Sequence, residues 1–103
     1  MTDSHQIRVQ IPFHLQTLAH CDKEVELQVQ GKVSVLSSVR ALEKRYPMLA
    51  GTIIDHHSGK RQPKVRFYAD GEDVSLQALD SELPEAIRLG EQPLMIIGAI
   101  SGG

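Results

Sequence analysis

Seven consecutive residues near the end of the chain, Leu94 to Ile100, carry no charge and no hydrogen-bonding side chain. The run is far shorter than the ~20 apolar residues that span a bilayer, and Pro93 opens it. Side chains of a strand alternate between its two faces, so this segment is apolar on both. A strand of that kind is expected in the middle of a sheet, covered on each side. This requirement constrains the fold more than any other segment does, because the last strand must return between strands laid down earlier.

Upstream, Ile7, Val9, Ile11, Phe13 and Leu15 alternate with Arg8, Gln10, His14 and Gln16, a period of two. Pro12 lacks the N–H that a ladder needs, so the first strand is placed at residues 6–12, followed by a polar connection. Val25, Leu27 and Val29 alternate with Glu24, Glu26, Gln28 and Gln30, giving a second strand closed by Gly31 and antiparallel to the first. The period then lengthens. Val35, Leu36, Val39, Leu42 and Tyr46 form one face of a helix, with Ser34 as N-cap, Lys44 and Arg45 at its negative end, and Pro47 as its stop. Burying each of those apolar side chains contributes about 1.5–3 kcal/mol, so this helix is expected to seal the core.

Leu49, Ile53 and Ile54 are expected to pack a short irregular or helical segment onto that core before a polar surface loop, 55–62. Val65, Phe67 and Ala69 mark a third strand. Asp70-Gly71 tolerates positive φ at both turn positions and leads into a short strand at 72–74. Leu76, Leu79 and Leu83 suggest a helical turn or compact loop before the final strand.

With 103 residues, 41% of them hydrophobic and 23% charged, the chain is expected to form a single domain over 1–103 with one core. A net charge of −2 provides no positive field for nucleic acid or anionic lipid, so neither is expected as a partner. Cys21 is the only cysteine, which excludes an internal disulfide and a thiolate-rich zinc site and fits a reducing cytoplasm. The polar start, residues 1–6, lacks the apolar core of a signal peptide, and neither secretion nor membrane insertion is expected.

Hairpin, helix, strand, short strand and final strand make an α+β chain with a mixed sheet of four to five strands on one main helix, the β-grasp (ubiquitin-like) arrangement. In that topology the last strand lies parallel to the first at the centre of the sheet. The chain here resembles the MoaD/ThiS family of ubiquitin-like sulfur carrier proteins, including the molybdopterin synthase small subunit and the CysO-like branch. The resemblance rests on Ile11-Pro12, Leu42-Glu43-Lys44-Arg45-Tyr46-Pro47, Gly59-Lys60, Glu72-Asp73-Val74 and above all Ile100-Ser101-Gly102-Gly103. Leu89-Gly90-Glu91-Gln92-Pro93 and Gly98-Ala99 stand where the family often has a Gly-Asp turn and a late proline.

The resemblance implies that the chain is not an enzyme and binds no cofactor itself. A ubiquitin-activating-type adenylyltransferase would spend ATP to convert the Gly103 carboxylate to an acyl adenylate. A sulfur donor, a desulfurase or rhodanese-like protein, would then leave a C-terminal thiocarboxylate for an acceptor enzyme such as molybdopterin synthase large subunit or cysteine synthase. Gly102 and Ser101 would thread the catalytic channel, which side-chain-free backbone permits. Ile97 would dock partners, against the alternative of plain core packing. A ubiquitin-like modifier joined to lysine through Gly103 and a non-covalent interaction module remain open beside the carrier, and molybdopterin stands ahead of cysteine as the pathway.

Three other features carry less. Lys64, Arg66 and Tyr68 share one strand face beside Lys60 and Arg61, which reads as a solvated face with Arg66 as the alternative docking residue. His56-His57 lies in no zinc-motif register, so no metal is assigned. Cys21 has only Lys23 as a cationic neighbour in sequence and reads as a bystander thiol.

Overall fold

The computed structural model describes residues 3–98. Strand β1 is Ser4–Gln10, and its buried Ile7 and Val9 alternate with polar neighbours as the sequence demands. It pairs antiparallel with β2, Glu24–Gln30, from Ser4↔Gln30 to Gln10↔Glu24. The first strand therefore sits two residues earlier than the expected 6–12. The connection after it is a helix, α1, Phe13–Ala19, where a polar connection was expected. Pro12, extended at φ −65°, supplies the carbonyl that accepts from the Leu15 and Gln16 amides, and Leu15 and Ala19, four apart, bury the inner face.

Helix α2, Val35–Arg45, forms where its periodicity placed it, capped by Ser34. The cap is reciprocal: Ser37 N–H donates to Ser34 Oγ at 3.0 Å and Ser34 N–H donates to Ser37 Oγ at 2.8 Å. Val35, Val39 and Leu42 are buried, whereas Leu36 and Tyr46, placed on the buried face from sequence, are half-buried. Pro47 ends the helix and begins a 3₁₀ turn, Pro47–Leu49, that buries Leu49. Ile53 and Ile54 join the core as expected.

Strand β3, Val65–Ala69, turns through Asp70 (φ 51°) and Gly71 (φ 82°) into β4, Glu72–Asp73. Both turn residues take the left-handed conformation that the sequence anticipated. The segment after β4 is a loop in which Leu76 is 84% exposed, and it closes over the start of α2 through Leu83 N–H to Val33 O and Leu36 N–H to Leu79 O. A short helix not anticipated from sequence, α3, Glu85–Arg88, buries Ile87.

Strand β5, Leu94–Gly98, enters the centre of the five-stranded sheet, whose order is β2-β1-β5-β3-β4. It runs parallel to β1 and antiparallel to β3. One part of the expectation is overturned. β5 is central, but only Leu94 and Ile96 face the core; Met95 and Ile97 are 37% and 42% exposed on the other side. The helices cover one face of the sheet and leave this one open. Among the described residues, no helix is long and apolar enough to cross a membrane.

Candidate functional site at the open face of the sheet

Alternation along β5 sends Met95 and Ile97 outward, and register decides their neighbours. Ile97 stands opposite Arg66, and Met95 stands opposite Tyr68 on β3 and Gln10 on β1. Two residues singled out separately from sequence, Ile97 and Arg66, are thus cross-strand partners. Ile97 is not core packing. It presents an apolar surface beside a fixed cation, the combination that docking faces use for burial and orientation.

Arg66 is fixed by β4. Its Nη2 donates to Asp73 Oδ2 at 2.6 Å and its Nε donates to the same oxygen at 3.2 Å, while Ser75 N–H donates to Asp73 Oδ1 at 2.9 Å. Hydrogen bonding from Ser75 first, and from Arg66 second, holds the Asp73 carboxyl well below the usual carboxylate range. A carboxyl depressed in the folded state contributes stability above its unfolded value, about pH 3.9, and loses it as pH falls toward the folded value. Melting temperatures of Asp73→Asn and the parent chain are therefore expected to differ at neutral pH and to converge well below pH ~4. Parallel curves throughout that range would contradict this pairing.

Arg61, grouped with this cationic stretch from sequence, serves elsewhere. Its guanidinium donates to the carbonyls of Val65 at 2.7 Å and Ser75 at 3.3 Å, tying the loop to the strands. Lys64 is exposed in the turn that precedes β3.

At its far end β5 runs under the start of α1. A Cβ built on Gly98 would lie 2.5 Å from His14 Cε1 and 3.5 Å from Pro12 Cγ, so the glycine admits this close approach. Phe13 beside them is 73% exposed. His14 and Pro12 thus flank the last described residue of β5, an approach that sequence reading missed because it placed His14 in a polar connection after the first strand. The expected site residues Ser101, Gly102 and Gly103 lie outside the described residues.

No protein-family model matches the sequence, and no curated protein matches it. Solved structures do. SAMP1 from Haloferax volcanii aligns with a TM-score of 0.72 at 21% identity, over 95% of this chain and 99% of that one. The Amycolatopsis orientalis BexX/CysO complex contains a chain that aligns with a TM-score of 0.70 at 25% identity, over 93% of this chain and 98% of that one. The small archaeal modifier protein 1 from Methanosarcina acetivorans aligns with a TM-score of 0.68 at 20% identity, over 97% and 98%.

The chain has the ubiquitin-like β-grasp fold. On this β-grasp frame the remaining sequence candidates lie apart from the open face. His56 Nε2 sits 3.1 Å from Glu43 Oε1, tying the 55–62 loop to α2. Among the described residues no three His, Cys, Asp or Glu side chains cluster as metal ligands. Cys21 follows α1 half-buried, and burial, then the neighbouring Asp22, pushes its thiol up, away from the thiolate. Cys21→Ser is expected to leave unchanged any thiocarboxylate formation of the kind that the family resemblance implies for Gly103, as measured by intact mass; its loss in the variant would give the thiol a role.

Proposed function

We propose that this β-grasp chain is a sulfur carrier acting through the Gly103 carboxylate. The observation that supports it most is the placement of β5, a central strand whose open apolar face carries Ile97 against Arg66 and whose sequence continues into Ser101-Gly102-Gly103. A partner that grips this face holds the strand from which that sequence continues. The likeness to CysO, 25% identical, adds support.

In this reading a ubiquitin-activating-type adenylyltransferase docks on Ile97 and Arg66 and threads Ser101 and Gly102 into its channel. The Gly103 carboxylate oxygen attacks the α-phosphorus of ATP, and pyrophosphate leaves. Sulfide expels AMP from the acyl adenylate directly; a persulfide donor gives an acyl disulfide that a second thiol cleaves. Either route ends in a thiocarboxylate. Its sulfur attacks an acceptor's substrate, and hydrolysis restores the carboxylate. The catalytic groups belong to partners in the cytoplasm, and this chain supplies the carried atom. Molybdopterin is the first pathway to examine and cysteine the second.

The SAMP1 likenesses, proteins named as modifiers, favour a second reading in which activated Gly103 forms an isopeptide bond with lysine. Both readings need adenylation. ATP–pyrophosphate exchange catalysed by the adenylyltransferase of the same genome is expected with the full chain and absent after deletion of Gly102-Gly103. Undiminished exchange by the deleted chain would contradict both. Sulfur on Gly103 without lysine-linked adducts distinguishes the carrier.

A further inference from the structure

The far edge of the sheet carries a feature that tail chemistry does not use. β2 is the outermost strand on its side, seven residues long, whereas the opposite edge, β4, has two. Short edges are safe, and a long uncovered one offers a row of free backbone donors and acceptors. Parity shows which groups are free. Lys23 O accepts from Ile11 N–H and Gly31 N–H donates to Asp3 O, so the odd-numbered residues of β2 bond to β1 and the even-numbered ones face outward. Glu26 O confirms it by accepting from Arg45 Nη1 at 2.8 Å, beyond the edge. Gln28 and Gln30 follow on the same side.

A groove of about 550 Å³ runs between this edge and α2. Leu36, Ala41 and Val29 contribute its apolar lining, and Lys32, Arg40 and Lys44 its cations. Leu36, Arg40 and Lys44 fall at i, i+4 and i+8 of α2, one row along the helix. The ion pairs among the described residues are Arg8–Glu24, His56–Glu43, Arg66–Asp73 and Arg88–Glu85, and none involves these three cations. Asp80 is the carboxylate at one end of the groove, and Glu26 lines its continuation at the other.

We propose that the free edge of β2 and this groove bind an extended peptide of a partner protein, added as a sixth strand, with apolar side chains and an acidic flank. Backbone pairing to Gln28 and Gln30 supplies the adhesion, alternate apolar side chains enter the groove, and acidic residues meet Arg40, Lys44 and Lys32. A second copy of this chain fits less well, because edge-to-edge pairing brings two cationic rows together. β1 separates β2 from β5, so such a partner leaves Ile97 and Arg66 free.

The test is an NMR titration of the full ¹⁵N-labelled chain with an acetylated, amidated peptide of four alternating valines and isoleucines followed by three glutamates. Saturable shifts at the Gln28 and Gln30 amides are expected, with slowed hydrogen exchange at Gln28. Methylating alternate backbone nitrogens of the peptide is expected to weaken binding at least about tenfold, since it removes donors without changing side chains. The exposed double variant Arg40→Glu, Lys44→Glu is expected to weaken it by a similar factor. The proposal is overturned by shifts centred on Met95 and Ile97, by equal affinity for the methylated peptide, or by no saturable shift up to about 1 mM. It is equally overturned if the same amides shift with protein concentration alone, which would assign the edge to a second copy.

Discussion

Replacing Phe67 by alanine is expected to cost about 3–5 kcal/mol, a large share of the ~5–15 kcal/mol that holds a small domain folded. Phe67 is fully buried and is the largest such side chain, on β3 between core and central strand, opposite Ile96 of β5. Its backbone is also engaged on the other side, the N–H donating to Ser75 Oγ at 2.8 Å and the carbonyl accepting from Val74 N–H. Those bonds hold the strand in place and restrict collapse around the vacated volume, which favours the upper part of the range. Urea denaturation should show a lowered midpoint with an unchanged slope, and a loss below ~1 kcal/mol would mean that the sheet and α2 repack freely.

Ile97→Glu is expected to do the opposite, leaving stability nearly intact while removing docking. The side chain is 42% exposed on the open face, so little buried area is lost, and the new carboxylate stands opposite Arg66. At an interface the same change places an unpaired charge where an apolar contact formed, and a docking centre of this kind loses about 30-fold or more in affinity. Calorimetric titration with the activating enzyme, beside a thermal melt of the isolated chain, separates the two effects. A normal dissociation constant would move the docking surface elsewhere.

The legible parts of the fold were those whose side-chain period had one interpretation. β2, α2, β3 and the Asp70-Gly71 turn stand where alternation, helical spacing and turn chemistry placed them. α1 was hidden because Phe13 and Leu15 extend the period of β1, although Pro12 and the spacing of Leu15, Leu18 and Ala19 carry the helical alternative. α3 contains one fully buried residue, Ile87, and four residues cannot display a period. For β5 the sequence reports that both faces are apolar and cannot report that the helices gather on one of them, which is a property of tertiary packing. The site divided in the same way. Ile97 and Arg66 were visible singly, while their pairing across β5 and β3, the clamp by Asp73 and Ser75, and the approach of His14 to Gly98 depend on register and on elements distant in sequence.

Intact-protein mass spectrometry tests the sulfur-carrier reading most directly. The full chain is measured before and after incubation with the adenylyltransferase, ATP and a sulfide or persulfide donor, beside a chain lacking Gly103. A mass increase equal to the exchange of one oxygen for sulfur is expected in the full chain only, with fragmentation locating it on Gly103. An unmodified Gly103 in the presence of an enzyme that demonstrably adenylates it would contradict the carrier role.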